Sequence, residues 1–176
     1  SFDCNGSVTS DGSVIHCYNN KRHGTESLSD SFANSCNASY ASIGLSLDAN
    51  QFKTLCEGLL FNKDLPVKFE SSKSNFALSD DAGDSIRMET AIGQGKTLVT
   101  PMHMAMIASA IANDGMLMNP YVIDHTENYE GIEVDRNEPV EYGQILSEQD
   151  TEVLQSFMEQ VVQEGTGTKL KGRSYT

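Results

Sequence analysis

The stretch AIGQGKTLVTPMHMAMIASAIANDG, residues 91–115, decides the reading of the fold. Gly93 and Gly95 permit a tight backbone path ahead of Thr100 and Pro101. Thr100 suits an N-cap, and Pro101 suits the first helical position, where its missing N–H costs nothing. The pattern predicts a helix from Pro101 to Asn113 or Asp114, with Gly115 just past its end. Ala105, Ala108, Ser109, Ala110 and Ala112 let a second element approach closely, while Met102, Met106 and Ile107 supply packing bulk. A central, buried helix is expected. The glycines do not form a phosphate loop, because GxxxxGK[ST] needs a glycine at position 90, which is Thr90.

Working upstream, CNGSVTSDGSVIHC (4–17) predicts a β-hairpin turning at Asp11–Gly12. A two-residue turn sets Cys17 opposite Gly6, so a Cys4–Cys17 disulfide requires a longer loop or a bulge. The spacing leaves that pairing open, and if it forms the protein folds outside the cytosol. Ser27 with Asp30 makes a capping box, and Leu28, Phe32, Cys36, Tyr40 and Ile43 make an apolar stripe. One helix is therefore predicted from Ser27 to Ile43, stopped by Gly44. Ser35 and Asn37 fall on the shoulders of its stripe, where a residue at the rim of a cleft would sit. A second helix is predicted over Leu47–Leu60, with Phe52, Leu55, Cys56 and Leu59 inward. Cys36 and Cys56 both read as buried thiols.

Residues 62–90 read as irregular. Downstream of the central helix, 116–123 reads as a short strand or an extended packing segment, and the polar stretch 127–146 as holding a small hairpin. Ser147 and Asp150 cap a last helix whose apolar face is Val153, Leu154, Phe157, Met158, Val161 and Val162, ended by Gly165 and Gly167. Residues 168–176 read as basic and extended. The chain thus divides into a β-hairpin and connecting segment, 1–22, and a mostly helical part, 23–176.

The 176 residues fit one domain. Twelve basic residues against 25 acidic ones give a net charge of −13, a field that disfavours nucleic acid or an anionic membrane surface as partner. No apolar run approaches the roughly 18 residues of a membrane span. The four histidines, His16, His23, His103 and His125, lack HExxH or HxH spacing, and no CxxC points to zinc. There is no GxSxG, and no lysine has a serine three places before it, so no SxxK is present. What stands out is Ser35-Cys36-Asn37, an SxN.

In this company the SxN gains meaning. DGSVIHCYNNKRHGTESLSDSFANSCNASYASIG (11–44), METAIGQGKTLVTPMHMAMIASAIANDGMLMNPYVI (88–123) and ILSEQDTEVLQSFMEQVVQEGTGTKL (145–170) resemble the central part of a penicillin-binding protein transpeptidase domain. The monofunctional, class B branch is the nearer likeness. Cys4 and Cys17 also sit where some of these enzymes carry cysteines. The resemblance implies an α/β (α+β) fold similar to the serine β-lactamases, of which residues 23–176 would form part of the transpeptidase domain, mainly its helical lobe with short β-hairpins.

The family works with three motifs, SxxK, SxN and KTG. Family order puts SxxK before Ser1 and KTG shortly after SYT (174–176). The resemblance therefore implies a full-length peptidoglycan D,D-transpeptidase that cross-links stem peptides by serine acyl transfer and is acylated by β-lactams. Residues 1–176 alone would lack the nucleophile and be inactive. Ser35 and Asn37 would be catalytic, with Ser35 relaying a proton and Asn37 holding the peptide amide. Gly93, Gly95, Thr100 and Pro101 would be structural. No cofactor is implied. The implied partners are stem peptides, β-lactams and other cell-wall synthesis proteins, and the implied location is the extracytoplasmic face of a bacterial membrane, with an N-terminal anchor. Helices packed on a sheet outside these residues would leave apolar faces that favour dimerisation. The alternatives are a D,D-carboxypeptidase, a serine β-lactamase or β-lactam sensor, which the length between SxN and the expected KTG disfavours, and a catalytically inactive scaffold of the cell-wall machinery.

Overall fold

Asp11 and Gly12 both take left-handed backbone, with φ of 44° and 73°, which matches a two-residue turn to the twist of its strands. They join strand β2 (Ser7–Ser10) to β3 (Ser13–His16), with Ser10 opposite Ser13. Cys17 N–H donates to the Gly6 carbonyl at 2.9 Å, the register expected of that turn. Strand β1 (Phe2–Cys4) pairs antiparallel with β4 (Gly24–Glu26), so the ladder runs across residue 22. The computed structural model describes residues 1–173.

The single helix expected from Ser27 to Ile43 is two helices. Helix α1 (Leu28–Ala33) starts at the Ser27–Asp30 capping box and stops after one and a half turns. Helix α2 (Asn37–Ser46) follows after a break centred on Ser35. The apolar spacing carries across that break: Cys36 is buried, and the Tyr40 ring meets that of Phe32 with centroids 6.4 Å apart. Gly44 does not stop α2. It lies in the helix interior, buried, where a Cβ would collide with Ala91 and press on the Arg87 carbonyl at 3.0 Å. Glycine here lets α2 lie against α4.

Helix α3 (Ala49–Gly58) is capped by Asp48, which accepts from Gln51 N–H at 2.9 Å. Cys56 is its one buried residue, while Leu55 is exposed. Helix α4 (Asp84–Ala91) lies in a region read from sequence as irregular. Eight residues, mostly polar, carry too little periodic signal, and tertiary contacts hold the helix instead. Ser10 donates to Asp84 in its first turn, and Arg87 donates to the carbonyls of Leu45 and Leu47 at 3.1 and 2.5 Å, satisfying the C-terminal end of α2.

Helix α5 (Pro101–Ala112) begins as the sequence indicates, with Thr100 accepting from His103 N–H at 3.2 Å and Pro101 at the first position. Only His103, Met106 and Ala110 are buried. Met104, Ala105, Ala108, Ser109 and Ala112 are exposed, so among the described residues α5 is half-open rather than a fully buried central helix. Asp114 and the expected Gly115 are both left-handed after it, with φ of 50° and 87°. Strand β5 (Met116–Met118) pairs with β8 (Glu141–Gln144), and β6 (His125–Glu127) with β7 (Glu133–Arg136).

Helix α6 (Glu148–Gln163) starts at Ser147, which accepts from Asp150 N–H at 3.1 Å. It packs on α1 through Phe157 and Phe32, whose rings lie 5.7 Å apart, and through Gln160, which donates to Asp30 at 3.0 Å. Its expected face is only partly covered: Val153 and Met158 are both exposed, and Met158 lies on the side shared with the open face of α5. Residues 168–170 form a 3₁₀ turn rather than extended chain, and residues 174–176 of the expected segment lie outside the described residues.

Among the described residues the result is an α+β arrangement in which six α-helices carry four two-stranded antiparallel ribbons. Three apolar clusters hold it. Leu60, Leu65, Met106, Ala110 and Leu117 join α5 to β5. Cys56, Phe61, Phe76 and Leu78 fix α3 to the following loop. Cys4, Cys17, Cys36 and Ala38 pin the N-terminal ribbons to the start of α2.

Candidate active site

The turn between α1 and α2 is a Schellman motif. Ser35 N–H donates to the Phe32 carbonyl at 3.1 Å, and Cys36 N–H donates to the Ser31 carbonyl at 2.9 Å. The residue at the centre of that motif must be left-handed, and Ser35 has φ 53°. That conformation costs an L-residue about 1–2 kcal/mol. The same motif closes α4, where Gly93 occupies the position at φ 73°, and closes α3, where Leu60 does so at φ 74°. Glycine avoids the strain at 93. Leu60 offsets it by burial, being 3% exposed. Ser35 does neither: it is exposed, with its hydroxyl on an open surface. Ser35 thus holds an exposed left-handed position that glycine would occupy without strain.

Asn37, the first residue of α2, donates through Nδ2 to the His16 carbonyl at 2.9 Å. That bond ties the amide to the end of β3 and leaves the carbonyl oxygen to accept from a ligand N–H. Ser35, Cys36 and Asn37 share one open groove with Phe32, Tyr40, Ala91, Ile92 and Val161. The groove is thus walled by α1, the start of α2, the end of α4 and α6. In the sequence Phe32, Tyr40 and Val161 read only as packing residues of their own helices, and nothing in the 91–115 stretch marks Ala91 and Ile92 as a wall of the site. Segments distant in the chain meet here, and nothing local marks their contact.

The remaining sequence candidates separate in space. Gly93 follows the groove wall at Ala91–Ile92, and Gly95, also left-handed at φ 77°, leads away from it. Thr100 and Pro101 start α5 and lie off the groove. There Thr100 N–H donates to Ser74 Oγ at 3.0 Å, and His103 is buried with its Nε2 at 2.6 Å from the Leu59 carbonyl. A second groove, between Pro66–Lys68 and Asn119–Tyr121, holds no serine or cysteine.

Cys4 and Cys17 are brought together with sulfurs 3.6 Å apart and both thiols free. They have company that the sequence did not signal. Cys36 Sγ is 3.9 Å from Cys17 Sγ, and His23 Nδ1 is 3.4 Å from Cys4 Sγ. Burial pushes the Cys4 thiol up, but hydrogen bonds from the backbone of His23 and Gly6 outweigh it and bring the group down to about 7. Burial wins at Cys17 and Cys36, raising both. It also raises Cys56 to about 11, an inert thiol among Phe61 and Phe76.

The sequence pattern of the penicillin binding protein transpeptidase domain matches residues 1–176, and the chain belongs to that family. It is 30% identical over 146 residues to peptidoglycan D,D-transpeptidase PbpA of Mycolicibacterium smegmatis, a match covering 80% of this chain and 29% of the relative. It is 25% identical over 164 residues to stage V sporulation protein D of Bacillus subtilis, covering 92% and 25%. The chain therefore spans less than a third of these relatives. Among solved structures, the D,D-transpeptidase domain of a peptidoglycan glycosyltransferase from Eggerthella lenta superposes with a TM-score of 0.84 at 24% identity, over 95% of this chain and 44% of that one. The imipenem acyl-enzyme complex of penicillin-binding protein A from Mycobacterium tuberculosis gives 0.80 at 21%, over 92% and 38%. These likenesses establish the transpeptidase-domain fold.

Proposed function

We propose that this chain is the SxN-bearing part of a peptidoglycan D,D-transpeptidase. A serine of an SxxK motif outside residues 1–176 attacks the carbonyl of a D-Ala-D-Ala stem peptide. The tetrahedral adduct collapses with loss of D-alanine, whose amine takes a proton through the Ser35 hydroxyl. An amine of a neighbouring stem peptide then attacks the acyl-enzyme carbonyl, its proton passes by the same route to the serine oxygen as the ester bond breaks, and the cross-link forms with the serine regenerated. Asn37 accepts the N–H of the bound peptide through the oxygen left free by its bond to His16. A β-lactam enters the same sequence and stops at the acyl-enzyme.

The observation that carries this reading is Ser35. It stands exposed at a strained left-handed position on a groove, two residues before an asparagine whose amide is already anchored. Residues 1–176 by themselves would neither turn over nor take up a β-lactam. The open faces of α5 and α6 would be covered by the rest of the domain or by a second copy, and the whole protein would act at the extracytoplasmic face of a bacterial membrane beside other cell-wall enzymes. Release of D-alanine from a stem pentapeptide by the complete natural protein tests the proposal. Wild type should release it, and Asn37→Ala should lose most of the rate. Undiminished release in the Asn37→Ala protein would refute the assignment.

A further inference from the structure

We propose that Cys4, Cys17, His23 and Cys36 bind one zinc ion, which staples the N-terminal ribbons to the SxN turn. The four donor atoms lie within 4.8 Å of one another and come from four separate elements. Cys4 ends β1, Cys17 follows β3, His23 precedes β4, and Cys36 caps α2.

Three of the six donor separations are those of a tetrahedral site, and all six fall within 4.8 Å. Zinc bonds of about 2.3 Å to sulfur and about 2.0–2.1 Å to nitrogen put two sulfurs roughly 3.8 Å apart and a sulfur and a nitrogen roughly 3.6 Å apart. The corresponding separations here are 3.6 Å for Cys4–Cys17, 3.9 Å for Cys17–Cys36 and 3.4 Å for Cys4–His23. A Cys4–Cys17 disulfide would have to close that gap to about 2.05 Å and would strand Cys36 and His23. All three sulfurs are at most 2% exposed and the His23 side chain is 5% exposed, so four protein ligands would close the site to solvent. Closed tetrahedral sets of three thiolates and one imidazole suit structural zinc.

A buried carboxylate adjoins the cluster. Buried Glu26 lies 3.9 Å from His23 Nδ1 and is held by Asn34 Nδ2 at 2.8 Å, which links the cluster to the end of α1. On binding, three thiol protons leave to solvent and three thiolates and a neutral imidazole take the metal. Cys36 lies between Ser35 and Asn37, so the ion would fix the turn that presents both. This positioning role does not require the reaction proposed above.

The test is metal analysis of the complete natural protein, purified with reductant and zinc. One zinc per chain is expected, lost in Cys17→Ala and in His23→Ala. Replacement by cobalt(II) should give a thiolate-to-cobalt charge-transfer band and the visible bands of a tetrahedral ion, a readout that needs no variant to fold. A zinc-free wild-type protein with no cobalt spectrum would overturn the proposal. So would a Cys4–Cys17 disulfide that persists in protein prepared with zinc and reductant.

Discussion

Replacing Ser35 with glycine should make the protein more stable and less active at once. Ser35 sits at φ 53° in the motif that closes α1. Removing its Cβ relieves a left-handed penalty of about 1–2 kcal/mol. Glycine gives back about 0.4–1 kcal/mol of this through the greater freedom of the unfolded chain. The balance is a gain of about 0.5–1 kcal/mol, which in a domain of this size raises Tm by about 1–4 °C. Ser35→Ala keeps the Cβ and so should stay within about 0.5 kcal/mol of wild type. Both variants lose the hydroxyl, and the acylation rate by a fluorescent penicillin should fall by about 10²–10⁴-fold in each. The assay is a thermal melt and a stopped-flow acylation trace on the whole transpeptidase domain with all three residues at 35. A lower Tm for Ser35→Gly, or an acylation rate equal to wild type, would refute the reasoning.

Three further outcomes are expected. Gly44→Ala should destabilise by about 1 kcal/mol, since overpacking against Ala91 costs about 1–3 kcal/mol and helix propensity restores about 1; Ala91→Gly should rescue it in a double-mutant cycle by denaturant unfolding. Asn62 is left-handed at φ 63° and grips Phe76 through both amide atoms, accepting from its N–H at 3.0 Å and donating to its carbonyl at 3.1 Å. Asn62→Leu should therefore cost about 1–3 kcal/mol by thermal melting, and Asn62→Asp, which keeps the acceptor, should cost less. Hydrogen bonds from His125 to Asp124 and to Glu127 hold its pKa above 6.5. Its contribution to stability is thus complete below the unfolded pKa and is lost as pH rises through the raised folded value. An NMR titration of His125 should show that raised midpoint, and Asp124→Asn should lower it.

What could be read from the sequence was local. The Asp11–Gly12 turn, the Ser27–Asp30 box and the caps at Thr100 and Ser147 each depend on a few adjacent residues, and each is present. The differences fall where distant contacts decide. The break at Ser35 was hidden because Leu28, Phe32, Cys36 and Tyr40 keep a helical period through it. Helix α4 owes its existence to Ser10, Leu45 and Leu47, none of which lies near it in the chain. Gly44 read as a stop because glycine ends helices more often than it lets two of them touch. The SxN was legible as a motif, but its groove was not, since Ala91, Ile92 and Val161 reach it from elsewhere. The cysteine–histidine cluster was invisible for the same reason: its donors are scattered from residue 4 to residue 36, with no short spacing to announce them.

The central claim is tested most directly by intact-mass spectrometry of the complete natural protein after incubation with benzylpenicillin. A single acyl adduct is expected, mapped by peptide analysis to the serine of an SxxK outside residues 1–176, forming far more slowly in Ser35→Ala. A folded protein that takes up no penicillin, or one acylated equally fast with alanine at 35, would contradict it.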